Sequence, residues 1–136
     1  MDDVVLNKAA TIERCIQRVG EVYAGDPANL TSDIIRQDSI VLNLQRACEA
    51  AIGLAMHLVR KHRLGIPQDS RDAFELLLTS GRLEERMAEN LKGMVGFRNV
   101  AVHDYTRLNL DIVRAIVEER AQDLLVFSAT MLREEG

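Results

Sequence analysis

Arg98, Asn99, His103 and Tyr105 put a permanent cation, an amide, a titratable imidazole and a phenol into one short stretch of a 136-residue chain. A guanidinium is always charged and fork-shaped, so it suits a phosphate. An imidazole exchanges a proton near neutral pH. Together these groups suffice to cleave a phosphodiester without a metal. Each also has an ordinary reading. Arg98 can be half of a buried salt bridge, for instance to Glu49. His103 can be a satisfied structural histidine, and Tyr105 a half-buried ring closing a helix end.

The elements that must position them are helical. There are two prolines, and no alternating strand pattern runs through the chain. Val5, Ala9, Ile12, Ile16, Val19 and Tyr23 recur at helical spacing and define a first helix, which Gly25-Asp26-Pro27 ends. Thr31, Ser32 or Asp33 caps a second helix running to about Leu64. On it, Ile40, Leu44, Ala47, Ala51, Leu54 and Leu58 form one apolar band, and Ile34, Val41, Cys48, Ile52, Ala55 and Val59 form another beside it. Half the circumference is then apolar, wider than on a typical surface helix. Such a helix is central in its bundle or shared with a second subunit, and a homodimer is expected. Gly65-Ile66-Pro67 stops it, Asp69 or Ser70 starts a third helix through Leu78, and Gly81 separates a fourth from near Arg82 to at least Arg98. A fifth opens at Asn109 and carries Val113, Ile116, Val117, Leu124, Phe127 and Met131. The expected fold is all-α, a single-domain bundle of about five helices spanning residues 1–136.

Leu83, Met87, Leu91 and Met94 mark the buried stripe of the fourth helix, and Arg98 falls in line with them. On a regular helix His103 lies about 140° away from Arg98. Either the helix loosens after Asn99, or a second subunit completes the site across a two-fold axis. Gly93 and Gly96, on the side of Asn99 and His103, each cost about 1 kcal/mol against alanine in a helix. They suit a close approach by another backbone or a substrate, or equally a tight helix packing.

Composition excludes several functions. The net charge of −4 argues against a general nucleic-acid coat, because phosphate binding relies on Lys and Arg. Any RNA contact must come from a local patch, and Arg60, Lys61 and Arg63, around His62, are the densest one; cations at a helix C-terminus also simply complement its dipole. Cys15 and Cys48 form no C-x-x-C pair and read as small buried hydrophobes. His57 and His62 are five apart, wrong for two ligands on one helix face, so no metal site and no cofactor are expected. No apolar run reaches the roughly 18 residues of a membrane span, and the acidic Met1-Asp2-Asp3 start lacks a signal-peptide pattern. The expected compartment is the cytoplasm.

Arg98-x-x-x-x-His103 resembles the R-x4–6-H signature of HEPN-domain ribonucleases. Extended to Tyr105, it resembles the R-x4-H-x-Y motif of the HepT toxins of HepT/MntA toxin–antitoxin pairs. Gly65-Ile66-Pro67, Asp72-Ala73-Phe74, Phe97-Arg98-Asn99 and the succession of helices are similar too. The resemblance implies a toxin with metal-independent endoribonuclease activity at a cleft between two protomers. His103 would act as general acid–base, Arg98 would hold the scissile phosphate, and Asn99 would orient the phosphate or the imidazole. It further implies a MntA-like nucleotidyltransferase antitoxin that attaches AMP to Tyr105. The alternative is an inert HEPN-like module that only binds such a partner or a nucleotide.

Overall fold

Asp2 accepts hydrogen bonds from the amides of Val4 and Val5 and so starts α1 (Asp3–Tyr23), satisfying two of the donors that a helix start leaves open. All six residues of its expected stripe are buried. Ala24 closes the helix in the left-handed conformation, and a short α2 (Ala28–Thr31) follows, which the sequence pattern did not announce. Asp33 is the cap of α3 (Ile34–Lys61), accepting from the Arg36 amide.

The computed structural model describes residues 2–135, which contain helices, turns and no strand. After α3, the chain passes through Gly65, whose φ of 139° is backbone that side-chain-bearing residues rarely adopt. Asp69 caps α4 (Ser70–Thr79), and α5 (Glu85–His103) begins about one turn later than the sequence suggests. A 3-10 turn, Tyr105–Arg107, leads to Asn109, which caps α6 (Leu110–Ala115) by accepting from the Asp111 and Ile112 amides. The helix runs on through a π-helical turn, Ile116–Arg120, into α7 (Ala121–Glu135). The expected fifth helix is therefore continuous from Asn109 onward, with one π-helical turn inside it.

The long α3 lies at the centre. Its first apolar band is buried throughout, and Val41, Cys48, Ala55 and Val59 of the second are buried as well. Two expectations fail here: Ile34 is 64% exposed, on the first turn where it overhangs the bundle, and Ile52 is only partly buried. Helices α1, α4, α5 and α7 all pack on α3 within one chain, so the width of its apolar surface needs no second subunit. Phe74 of α4 meets Phe127 of α7 edge to face, with centroids 5.8 Å apart. Emptying a site in such a core costs about 3–5 kcal/mol for Phe→Ala. Both cysteines are free and buried. No helix among the described residues is long and apolar enough to cross a membrane.

Candidate functional site

Helix α5 carries Arg98 to the start of α4. One terminal nitrogen of its guanidinium, Nη2, donates to Ser70 Oγ at 3.2 Å. Its Nε is fully buried and has no hydrogen-bond partner. The salt bridge to Glu49 offered as the ordinary reading of Arg98 is not formed; Glu49 is exposed and accepts from Gln45 at 3.3 Å instead. Among the described residues no carboxylate comes within ion-pair distance of Arg98. A half-buried cation without a counter-charge is costly, and the cost falls when an anion arrives. Nearby, burial pushes the Cys48 thiol up to about 12, although the positive field of Arg98 works against it.

His103 is the last residue of α5 and is exposed. The helix stays regular up to it, since the Asp104 amide still donates to the Val100 carbonyl at 2.8 Å. The loosened helix end expected as one way to join the pair is therefore absent. Arg98 and His103 remain separated by about 140° around the axis and about 7.5 Å along it. Asn99 is half-buried between them. Neither Asn99 nor His103 has a side-chain hydrogen bond to another described residue.

Tyr105 lies on the 3-10 turn with 38% of its surface exposed. Its hydroxyl donates to Asp38 Oδ1 on α3 at 2.5 Å. Burial, and then the Asp38 carboxylate, push the phenol up to about 12. The flanking charges Asp104 and Arg107 pair with one another at 3.2 Å.

The glycines of α5 divide in role. A side chain at Gly96 would stand 3.1 Å from Arg71, which crosses the helix there and donates to the Lys92 carbonyl. No other backbone crowds Gly93. It opens instead on a cleft of about 700 Å³ between α5 and α6, lined mainly by Met94, Phe97, Val100, Leu108 and Ile112.

The basic cluster is split by its partners. Lys61 Nζ bonds Asp2 at 2.9 Å and Glu135 at 2.8 Å. His57 reaches Asp2 at 2.7 Å and His62 reaches Glu135 at 2.8 Å. The bond to His57, then that to Lys61, holds the Asp2 carboxyl far below the usual carboxylate range. Burial would raise Glu135, but Lys61 and His62 outweigh it and leave the group lowered. Arg60 and Arg63 are exposed and unpaired among the described residues. Of the three candidate RNA-contacting residues, Lys61 is thus the one already engaged by carboxylates. Among the described residues, no three His, Cys, Asp or Glu side chains gather as a metal-binding group.

Two members of the site were missed by the sequence reading, Ser70 and Asp38. Ser70 borders a helix cap, a visible signal, whereas Asp38 is an ordinary polar residue of α3 with no local mark.

Comparison with known proteins extends over most of the chain. Residues 12–131 match a family model described as Ribonuclease HepT-like. The mRNA nuclease HepT of Shewanella oneidensis is 50% identical over 127 residues, covering 93% of this chain and 95% of that protein. A putative RNase of Archaeoglobus fulgidus is 34% identical over 93 residues, 68% of this chain and 70% of that one. Among solved structures, a chain of a toxin–antitoxin complex with AMP-PNP superposes with a TM-score of 0.92 at 47% identity, covering 97% of this chain and 99% of its own length. A tri-AMPylated Shewanella oneidensis HEPN toxin in complex with its MNT antitoxin gives 0.92 at 48% identity, with 98% and 99% covered.

Proposed function

This chain belongs to the HepT-like ribonuclease family, and we propose that it is the toxin of a toxin–antitoxin pair, an endoribonuclease that cuts RNA by metal-independent acid–base chemistry. The observation that carries this reading is Arg98, a half-buried guanidinium with an orphaned Nε and no carboxylate beside it. A cation left this way favours an incoming phosphate, and Ser70 fixes one side of the fork.

His103 takes the proton from the ribose 2′-hydroxyl, whose oxygen attacks the adjacent phosphorus. The bond to the 5′-oxygen breaks as that oxygen receives a proton from a second imidazole. Arg98 stabilises the charge that builds on the phosphoryl oxygens, and Asn99 orients the phosphate or the ring. The products are a 2′,3′-cyclic phosphate and a 5′-hydroxyl. Because α5 is regular, one chain turns Arg98 and His103 to different sides, and a homodimer supplies the second imidazole. Val100, Val102 and Ile112 leave exposed apolar surface around this end of α5, which a second copy would cover. Arg60 and Arg63 serve the RNA backbone. One domain, residues 1–136, carries all of this, and the cytoplasm supplies its RNA and ATP.

The partner is a MntA-like nucleotidyltransferase antitoxin that adds AMP to Tyr105, as the AMPylated Shewanella relative in complex with its MNT antitoxin suggests. Each adduct adds negative charge and bulk just past the end of α5, two residues from His103 in sequence, where it would obstruct RNA. Induction of the protein alone arrests growth, and co-expression of the partner, or His103→Ala in a protein that stays folded, relieves the arrest. Unchanged growth on induction of the unsubstituted protein points to the inert partner-binding module instead.

A further inference from the structure

Tyr105 and Asp38 are 67 residues apart in sequence, yet the phenol oxygen lies 2.5 Å from the carboxylate. Asp38 is exposed on the second turn of α3 and forms no ion pair among the described residues. The neighbouring charges are spoken for, since Arg107 is paired to Asp104. Among the described residues, the phenol is therefore the carboxylate's one side-chain partner. A neutral phenol is a weak nucleophile, because its proton ordinarily leaves only near pH 10. A base already within hydrogen-bond reach of that proton removes the difficulty.

The geometry points to Asp38 as the proton acceptor that activates Tyr105 for nucleotidyl transfer; this rests on the reading that Tyr105 receives AMP. The Tyr105 oxygen attacks the α-phosphorus of ATP held by the nucleotidyltransferase. A phosphorus–oxygen bond to tyrosine forms, the bond to the departing pyrophosphate breaks, and the phenol proton passes to Asp38 Oδ1 and on to solvent. The modified protein thus contributes a catalytic group to its own modification, from a helix remote in sequence. The carboxylate holds the phenol proton in place until nucleotide arrives, which agrees with the raised position of that phenol. It also fixes the ring's direction on the 3-10 turn that follows α5.

The test uses the full chain with a MntA-type nucleotidyltransferase, ATP and Mg²⁺, following AMP addition by intact mass between roughly pH 6.5 and 9.5, below the ordinary phenol pKa. Asp38→Asn keeps an oxygen that can accept the hydrogen bond but cannot take up the proton. It is expected to slow the first addition by about 100-fold or more, with a rate that climbs steeply as pH rises. Asp38→Glu is expected to restore the shallow pH profile of the unsubstituted protein. Melting curves establish that the variants fold. Addition to Asp38→Asn at the unsubstituted rate overturns the assignment, and so does a slowed rate with an unaltered pH profile, which marks a purely positioning contact. Persistent labelling of Tyr105→Phe instead removes the premise that Tyr105 is the acceptor, an outcome separable from failure of Asp38 alone.

Discussion

The C-terminal ends of α3 and α5 are built from the same kinds of residue and treated in opposite ways. The end of α3 holds His57, Lys61 and His62; the end of α5 holds Arg98 and His103. A helix C-terminus welcomes cations in either case, so composition does not tell the two apart. At α3, the chain's start delivers Asp2 and its final turn delivers Glu135, and every one of the three basic groups finds a carboxylate. At the end of α5, no carboxylate among the described residues reaches Arg98 or His103, and the Nε of Arg98 is orphaned. The pairs at α3 tie Asp2 and Glu135 to the central helix, while Arg60 and Arg63 at the same end are exposed and have no carboxylate among the described residues. What sets Arg98 apart is that its guanidinium is half-buried yet lacks a carboxylate among the described residues, and the proposed phosphate role rests on that.

The contrast can be broken most severely at the histidines. His103→Ala is expected to lower RNA cleavage by about 100- to 10,000-fold with little change in melting temperature, since the side chain is exposed and unbonded. His57→Ala should do the reverse, lowering the melting temperature and sparing cleavage. Next comes Arg98→Met, which should lose about 100- to 1,000-fold in cleavage while holding or raising stability, because it removes a half-buried charge that has no carboxylate partner. A marked loss of stability in that variant would place Arg98 with the paired groups of α3.

Smaller in effect is the phenol. In a Tyr23→Phe background, which leaves a single tyrosine, ultraviolet titration should place Tyr105 near about 12, and Asp38→Asn should bring it back toward about 10. The sign follows from the raised folded value. This group's contribution to stability is complete below the unfolded phenol pKa of about 10 and is lost as pH rises through about 12. The smallest effect separates the halves of the basic cluster. Charge reversal at Arg60 or Arg63 should weaken RNA binding and reduce the salt slope by about 1. Lys61→Gln should lower the melting temperature and leave that slope unaltered.

Local chemistry made much of the fold legible. Asp33, Asp69 and Asn109 cap helices because their side chains can reach amides two or three residues on, a requirement written within a few positions of sequence. The burial of Leu44, Leu54 and Leu58 follows from helical spacing in the same way. The π turn at Ile116–Arg120 escaped because a single wider turn shifts the apolar pattern too little to be read in so short a span, and α2, four residues long, is too short to show a period. Ile34 misled because periodicity places a residue on a face but does not say where the neighbouring helices end. Within the site, Arg98, His103 and Tyr105 stood out by type and spacing, whereas the partners of Arg98 and Tyr105 did not. Ser70 and Asp38 reach the motif across 28 and 67 residues, and the missing Glu49 contact is equally a matter of tertiary placement.

The most direct test of the Arg98–His103 chemistry is end-group determination on RNA cut by the purified protein in excess chelator, beside a His103→Ala preparation made in parallel. Cleavage by the unsubstituted protein that persists in chelator, leaves 2′,3′-cyclic phosphate and 5′-hydroxyl ends, and is absent from His103→Ala is the predicted result. Equal cleavage by both preparations, or cleavage that chelator abolishes and that leaves 3′-hydroxyl ends, would contradict it.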